Sequence, residues 1–191
     1  MKRNIYYLTG FMASGKSTIG PIRANTLGWN FFDVDKEVEK KEGMKITELF
    51  KLKGENYFRS VESEVLKNLS EKNNVIISLG GGTIADNNNF KIIKSTGKLI
   101  YLKSSPEMAY KRLRYKTDRP ALHIEGEELP VKEQLLEKIN ELQKNRKKYY
   151  ERSDFIIDTD AETVGKTVDK IARFIKNEIE SGKRKSEKNI S

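Results

Sequence analysis

The chain has 191 residues, with 37 Lys and Arg against 28 Asp and Glu for a formal charge of +9, one histidine and no cysteine. That length suits one α/β domain, placed at 1–180, followed by a basic polar tail at 181–191 that is expected to be disordered. The lack of cysteine excludes disulfides, thiolate zinc sites, iron–sulfur clusters and cysteine nucleophiles, and a lone histidine, His123, argues against a histidine-built metal centre.

Met1-Lys2-Arg3 leads directly into an apolar strand over Asn4 to Thr9, without the apolar segment of a signal peptide. No run of about 18 apolar residues follows, so a cytoplasmic protein without a membrane partner is expected. The next stretch, Gly10-Phe11-Met12-Ala13-Ser14-Gly15-Lys16-Ser17, fits G-x-x-x-x-G-K-[ST] and opens a helix predicted at 16–27. Its glycines let backbone N–H groups converge on phosphate oxygens, Lys16 neutralises β/γ charge, and Ser17 offers a hydroxyl to Mg²⁺. The helix start adds the positive end of its dipole to the same anion. Ala13, Ser14, Gly15, Lys16, Ser17 and Thr18 are therefore the candidates for holding ATP. A glycine-rich turn with a surface lysine is the plainer alternative, but it would not require Lys16 and Ser17 together.

A second apolar run, Phe31-Phe32, ends in Asp33-Val34-Asp35 at what should be the C-terminal edge of a parallel sheet, where ligands bind in open α/β folds. Asp33 can support Mg²⁺, directly or through water, while Asp35 can accept a proton from an acceptor hydroxyl. Helix N-capping by Asp35 is the competing account. Helices are predicted at 34–41, 46–52 and 57–71. The last begins with Phe58-Arg59-Ser60-Val61-Glu62, in which the planar Arg59 suits a carboxylate and Glu62, at i+3, can hold it; a surface ion pair accounts for the spacing equally well.

The apolar strand from Val75 to Ser78 runs through Leu79 into Gly80-Gly81-Gly82-Thr83, a backbone that a ligand can approach closely and whose N–H groups can reach ligand hydroxyls. This strand end lacks the aspartate that often binds metal there, which strengthens Asp33 for magnesium. There follow a short helix near 86–95, a strand at 99–102, and a helix at 105–114 carrying Arg112. The polar segment at about 115–130, with Arg119-Pro120 inside it, has the character of a lid, though an ordinary surface loop would share its composition. A helix at 131–152 bears Arg146 near its end; a strand at 155–157 and a helix at 161–180 complete the chain. Arg112 and Arg146 are candidates for nucleotide stacking and anion binding, although either alone is most often surface charge. Alternating strands and helices predict an α/β fold with a parallel sheet.

The charge of +9 leaves nucleic acid, an anionic small substrate, or a lysine-rich solvated surface open. Part of the excess sits in Lys183-Arg184-Lys185 and Lys188 of the tail, which favours the solvated surface.

In this order the phosphate loop, Phe-Asp-Val-Asp, Gly-Glu-Asn-Tyr-Phe-Arg-Ser-Val-Glu, Gly-Gly-Gly-Thr, Asp-Arg-Pro-Ala-Leu and Arg-x-x-x-Tyr resemble the shikimate kinase family from residue 4 to about 175. The resemblance implies a three-layer P-loop kinase fold of the nucleoside-monophosphate-kinase type, with a five-stranded parallel sheet in the order 2-3-1-4-5. It implies Mg²⁺- and ATP-dependent phosphorylation of the shikimate 3-hydroxyl in the chorismate route, by a monomer without a nucleic-acid partner. By the same resemblance, Asp35 would be the base, Arg59 and Arg146 would grip the shikimate carboxylate, and Gly81, between Gly80 and Gly82, would meet a ring hydroxyl. Lys16 and the lid's Arg119 would stabilise the transferring phosphoryl, Ser17 and Asp33 would serve Mg²⁺, and Arg112 would lie beside adenine. A P-loop kinase for another hydroxylated acceptor, such as gluconate, is the nearest rival; a nucleotide-dependent nucleic-acid-binding module is the rival from another class. Ala13 stands where the family often has glycine and should be tolerated if its φ is negative; Pro21, inside the first helix, should kink or adjust it.

Overall fold

The computed structural model describes residues 3–113 and 132–188, with side chains through Gly182. The predicted lid at about 115–130, with Arg119 and His123, lies outside the described residues. Five apolar runs form strands β1 (Ile5–Thr9), β2 (Asn30–Asp33), β3 (Val75–Ser78), β4 (Lys98–Lys103) and β5 (Phe155–Asp158). All neighbours are parallel, in the order β2-β3-β1-β4-β5. β1 and β3 are buried along their whole length, which explains runs without polar alternation: helices cover both faces.

On one face α1 (Lys16–Leu27) and α7 (Val164–Lys188) bring Ile19, Ala24, Ile171 and Ile175 against Tyr6, Leu8, Ile100 and Leu102. The opposite face carries α2 (Val34–Glu42), α3 (Ile46–Leu69) and α4 (Asn87–Thr96), whose Val38, Leu66 and Ile93 pack with Ile5, Tyr7, Ile77 and Leu99. Adjacent β1 residues thus serve opposite layers. A third apolar cluster joins α5 (Pro106–Leu113) and α6 (Lys132–Tyr150) to Phe11 of the phosphate loop, through Ala109, Leu113, Leu135 and Ile139. Asp33 pairs in register with Ser78 and Thr9 with Tyr101, so the segments after β1, β2 and β3 all leave the sheet at the same edge.

Three expectations are modified. The helices predicted at 46–52 and 57–71 abut within α3, where Gly54, at φ 79° and ψ 171°, interrupts the helical backbone. α1 continues through Pro21 from Lys16 to Leu27, since proline there removes a single bond, to the Ser17 carbonyl, and the flanking turns carry on. α7 was expected to end at 180; its helical backbone runs to Lys188, into the stretch expected to be disordered. Among the described residues no helix is long and apolar enough to cross a membrane.

Candidate active site

The turn from β1 into α1 places its charged groups by backbone geometry. Gly15 is the N-cap of α1 at φ 102°, a conformation open to glycine, and no side chain caps the helix or puts an acid in its first turn. The positive end of α1 is thereby presented to an anion. Lys16 Nζ donates to the carbonyls of Gly10 at 2.7 Å and Phe11 at 3.1 Å, which arches the side chain back over the loop. Ser14 Oγ is buried in the turn without a hydrogen-bond partner. Ala13 has φ 59°, contrary to the negative value on which its tolerance depended. A Cβ in that region costs roughly 1 kcal/mol or more. Its carbonyl accepts from Arg112 Nη1 at 3.1 Å, while Arg112 Nη2 reaches the Thr159 carbonyl at 3.4 Å. Arg112 therefore fastens the loop to the segment after β5, on the side of the cleft remote from Asp35.

At the end of β2 the N-cap is Asp33, not Asp35. Asp33 Oδ1 accepts from the Asp35 N–H at 3.1 Å, and its Oδ2 accepts from Ser17 Oγ at 3.2 Å. The capping posed for Asp35 thus falls to Asp33, whose two oxygens cap α2 and meet Ser17 of the phosphate loop. Asp35, in the first turn of α2, brings Oδ1 against Gly80, where an added Cβ would stand 2.8 Å from it. Ser17 and Asp33 form an all-oxygen pair suited to a hard cation such as Mg²⁺.

The three glycines after β3 each make room for a different group. A Cβ on Gly80 would meet Asp35 and Glu62, on Gly81 it would lie 2.9 Å from Arg146 Nη1, and on Gly82 it would lie 3.0 Å from Arg59 Nη2. Space around these residues, rather than an unusual backbone angle, explains the run: Gly82 sits at φ −108°. Glu62, 1% exposed, accepts from Arg59 Nη1 at 2.9 Å and from Thr83 Oγ1 at 2.6 Å. Burial opposes the Arg59 charge, but Glu62 and Glu55 outweigh it and raise the guanidinium further above its ordinary value. Tyr150 OH donates to the Gly81 carbonyl at 2.8 Å and its ring stacks on Tyr101 at 4.9 Å. Burial raises the Tyr150 pKa against the pull of Arg146, to which it is hydrogen bonded.

Ala13 to Thr18, Asp33, Asp35, Arg59, Gly80 to Gly82, Arg112 and Arg146 line one cleft of about 1210 Å³, with Thr83 and Tyr150 behind its wall. The structure thus brings together every predicted site residue within its bounds; Arg119 lies outside the described residues. Sequence reasoning missed Glu55, Thr83 and Tyr150 as partners of the arginine–glycine wall. All three lie within the motifs that carry the family resemblance, where they were given no role; Glu55 and Tyr150 stand four residues from Arg59 and Arg146, a spacing that also indicates contact.

A parallel sheet in this order, with a phosphate loop after its central strand and an acceptor pocket across the same edge, defines a P-loop kinase of small molecules. The family model for shikimate kinase matches residues 12–188. The chain belongs to that family. It is 40% identical to the shikimate kinase of Chlorobaculum parvum over 96% of this chain and 98% of the relative, and 42% identical to that of Chlorobium limicola over 90% and 86%. Among solved structures, shikimate kinase from Acinetobacter baumannii in complex with shikimate superposes with a TM-score of 0.83 at 31% identity, covering 93% of this chain and 95% of that one. The Aquifex aeolicus shikimate kinase gives 0.76 at 36% identity, over 92% and 98%. The chain is accordingly an ATP-dependent kinase, with shikimate rather than gluconate as the acceptor these relatives support.

Proposed function

We propose that ATP and shikimate meet in this cleft with Asp35 as the group that takes the proton from the 3-hydroxyl, while Arg59 and Arg146 hold the carboxylate. The observation that carries the assignment is the packing of these three side chains against the three successive glycines, which fixes one carboxylate and two cations around a single pocket. Gly80, Gly81 and Gly82 offer that pocket a backbone edge. On the nucleotide side, Ala13 to Thr18 wrap the phosphates, Lys16 offsets charge on the transferring group, and Arg112 is assigned to stack on adenine. Ser17 and Asp33 would hold Mg²⁺, which would supply charge neutralisation for the phosphates. Arg119 is proposed to close on the same phosphoryl. Phosphoryl transfer needs positioning and charge stabilisation more than covalent catalysis, so this set of groups is sufficient. A cytoplasmic monomer acting without nucleic acid or membrane completes the proposal.

The test is a coupled ADP-release assay with Mg-ATP, comparing shikimate, gluconate, a nucleoside monophosphate and no acceptor. ADP release should depend on shikimate. Asp35→Asn should lose turnover by a factor on the order of 10²–10⁴ with little change in ATP affinity, while Arg59→Ala should chiefly raise the shikimate KM. Normal kinetics in both variants would dismiss these roles; turnover with another acceptor alone would replace shikimate.

A further inference from the structure

Arg59 carries two carboxylates of opposite character. Glu62, 1% exposed, is buried beside it and anchored by Thr83, a fixed partner. Glu55, 62% exposed, uses one oxygen, Oε1, to take both Nε at 3.2 Å and Nη2 at 3.1 Å, which falls short of the two-oxygen fork that a carboxylate can make with a guanidinium. Gly82 closes on the guanidinium from the glycine turn and Phe58 lies 5.0 Å away, so approach from those directions is restricted. Glu55 itself lines the cleft. It directly follows Gly54, whose φ of 79° and ψ of 171° break the helix and whose surroundings hold no atom within 4 Å of an added Cβ.

We infer that Glu55 is a displaceable stand-in for the acceptor's carboxylate: it occupies Arg59 while the pocket lacks acceptor and yields that edge when a carboxylate-bearing acceptor enters. This deepens the assignment of Arg59 as the carboxylate-gripping residue and rests on it. Two carboxylates cannot both take the Nε–Nη2 edge, and of the two present only the exposed one can leave without stranding a buried charge. Glu55 therefore sets specificity by competition. A neutral hydroxylated molecule cannot displace it, whereas a carboxylate can, and apparent affinity for the correct acceptor is lowered by the strength of the internal pair. The open space at Gly54 gives the chain somewhere to take up the movement.

The experiment measures shikimate and ATP KM for wild type, Glu55→Gln and Glu55→Ala. An exposed ion pair of this kind is worth a few-fold in an equilibrium, so the shikimate KM should fall by about two- to five-fold in both variants with the ATP KM unchanged. A residue that merely positions Arg59 gives the opposite sign: an unchanged or raised shikimate KM overturns the inference. If wild type does not turn over shikimate, the functional assignment fails separately, and thermal stabilisation by cyclohexanecarboxylate decides the matter. Stronger stabilisation of Glu55→Gln than of wild type, abolished when Arg59→Ala is added, upholds competition at Arg59; equal or weaker stabilisation refutes it.

Discussion

The run Gly80-Gly81-Gly82 shows how a residue can matter through the atoms it lacks. Ala at position 81 would put Cβ 2.9 Å from Arg146 Nη1, and at position 82 it would lie 3.0 and 3.2 Å from the Arg59 nitrogens. Each obstacle is the far end of a flexible side chain, so Gly81→Ala and Gly82→Ala should fold normally and displace an arginine by a few tenths of an ångström. The expected result is a shikimate KM raised on the order of tenfold with a denaturation midpoint close to wild type, read from steady-state kinetics beside a melt. An unchanged KM would mean that the arginines tolerate the shift. Ala13 is the converse case, a side chain present where the backbone favours none. Its left-handed conformation is retained although no glycine relieves it, with Arg112 holding its carbonyl.

Local rules and packing disagree most clearly within α1, at the level of the element. Helix propensity alone would favour Ala over Gly at position 20 by about 1 kcal/mol. Gly20 is buried, however, and an added Cβ would stand 2.3 Å from Phe31 Cε2 of β2, so α1 lies against that ring with no room for a methyl group. Gly20→Ala should therefore destabilise the protein by about 1–3 kcal/mol, measured by urea denaturation. Stabilisation would show that Phe31 can turn aside at no cost. The helices themselves were largely legible in the sequence, because apolar residues recur at helical spacing and the glycines at 28 and 43 follow α1 and α2 in the left-handed form that ends helices. The N-cap of α2 was not: Asp33 and Asp35 are equivalent as a pattern, and only the turn geometry after β2 decided that Asp33 caps.

For the whole molecule, the tyrosines tie folding to pH. Burial pushes Tyr6 and Tyr101 up to about 12 from an ordinary 10.0, and raises Tyr7 and Tyr150 as well. A raised folded-state value means stability that is full below the unfolded value, near 10, and is lost as pH rises towards 12. The urea midpoint should therefore fall between pH 10 and 12, and Tyr101→Phe should reduce that fall; equal slopes would show that Tyr101 does not contribute. The sequence by itself determined the parallel α/β architecture, the phosphate loop and the aspartates, arginines and glycines that line the cleft, because apolar periodicity, a phosphate-binding turn and charged or glycine-rich strand ends are local patterns. Tertiary structure alone decided which carboxylate caps, which glycine faces which side chain, that Ala13 is left-handed, and that Arg59 is shared by one buried and one exposed glutamate. The glycine facings and the burial of Glu62 against Thr83 depend on distances between segments tens of residues apart, set when β1, β2 and β3 pair in register and deliver their loops to one edge, and no local pattern encodes such distances.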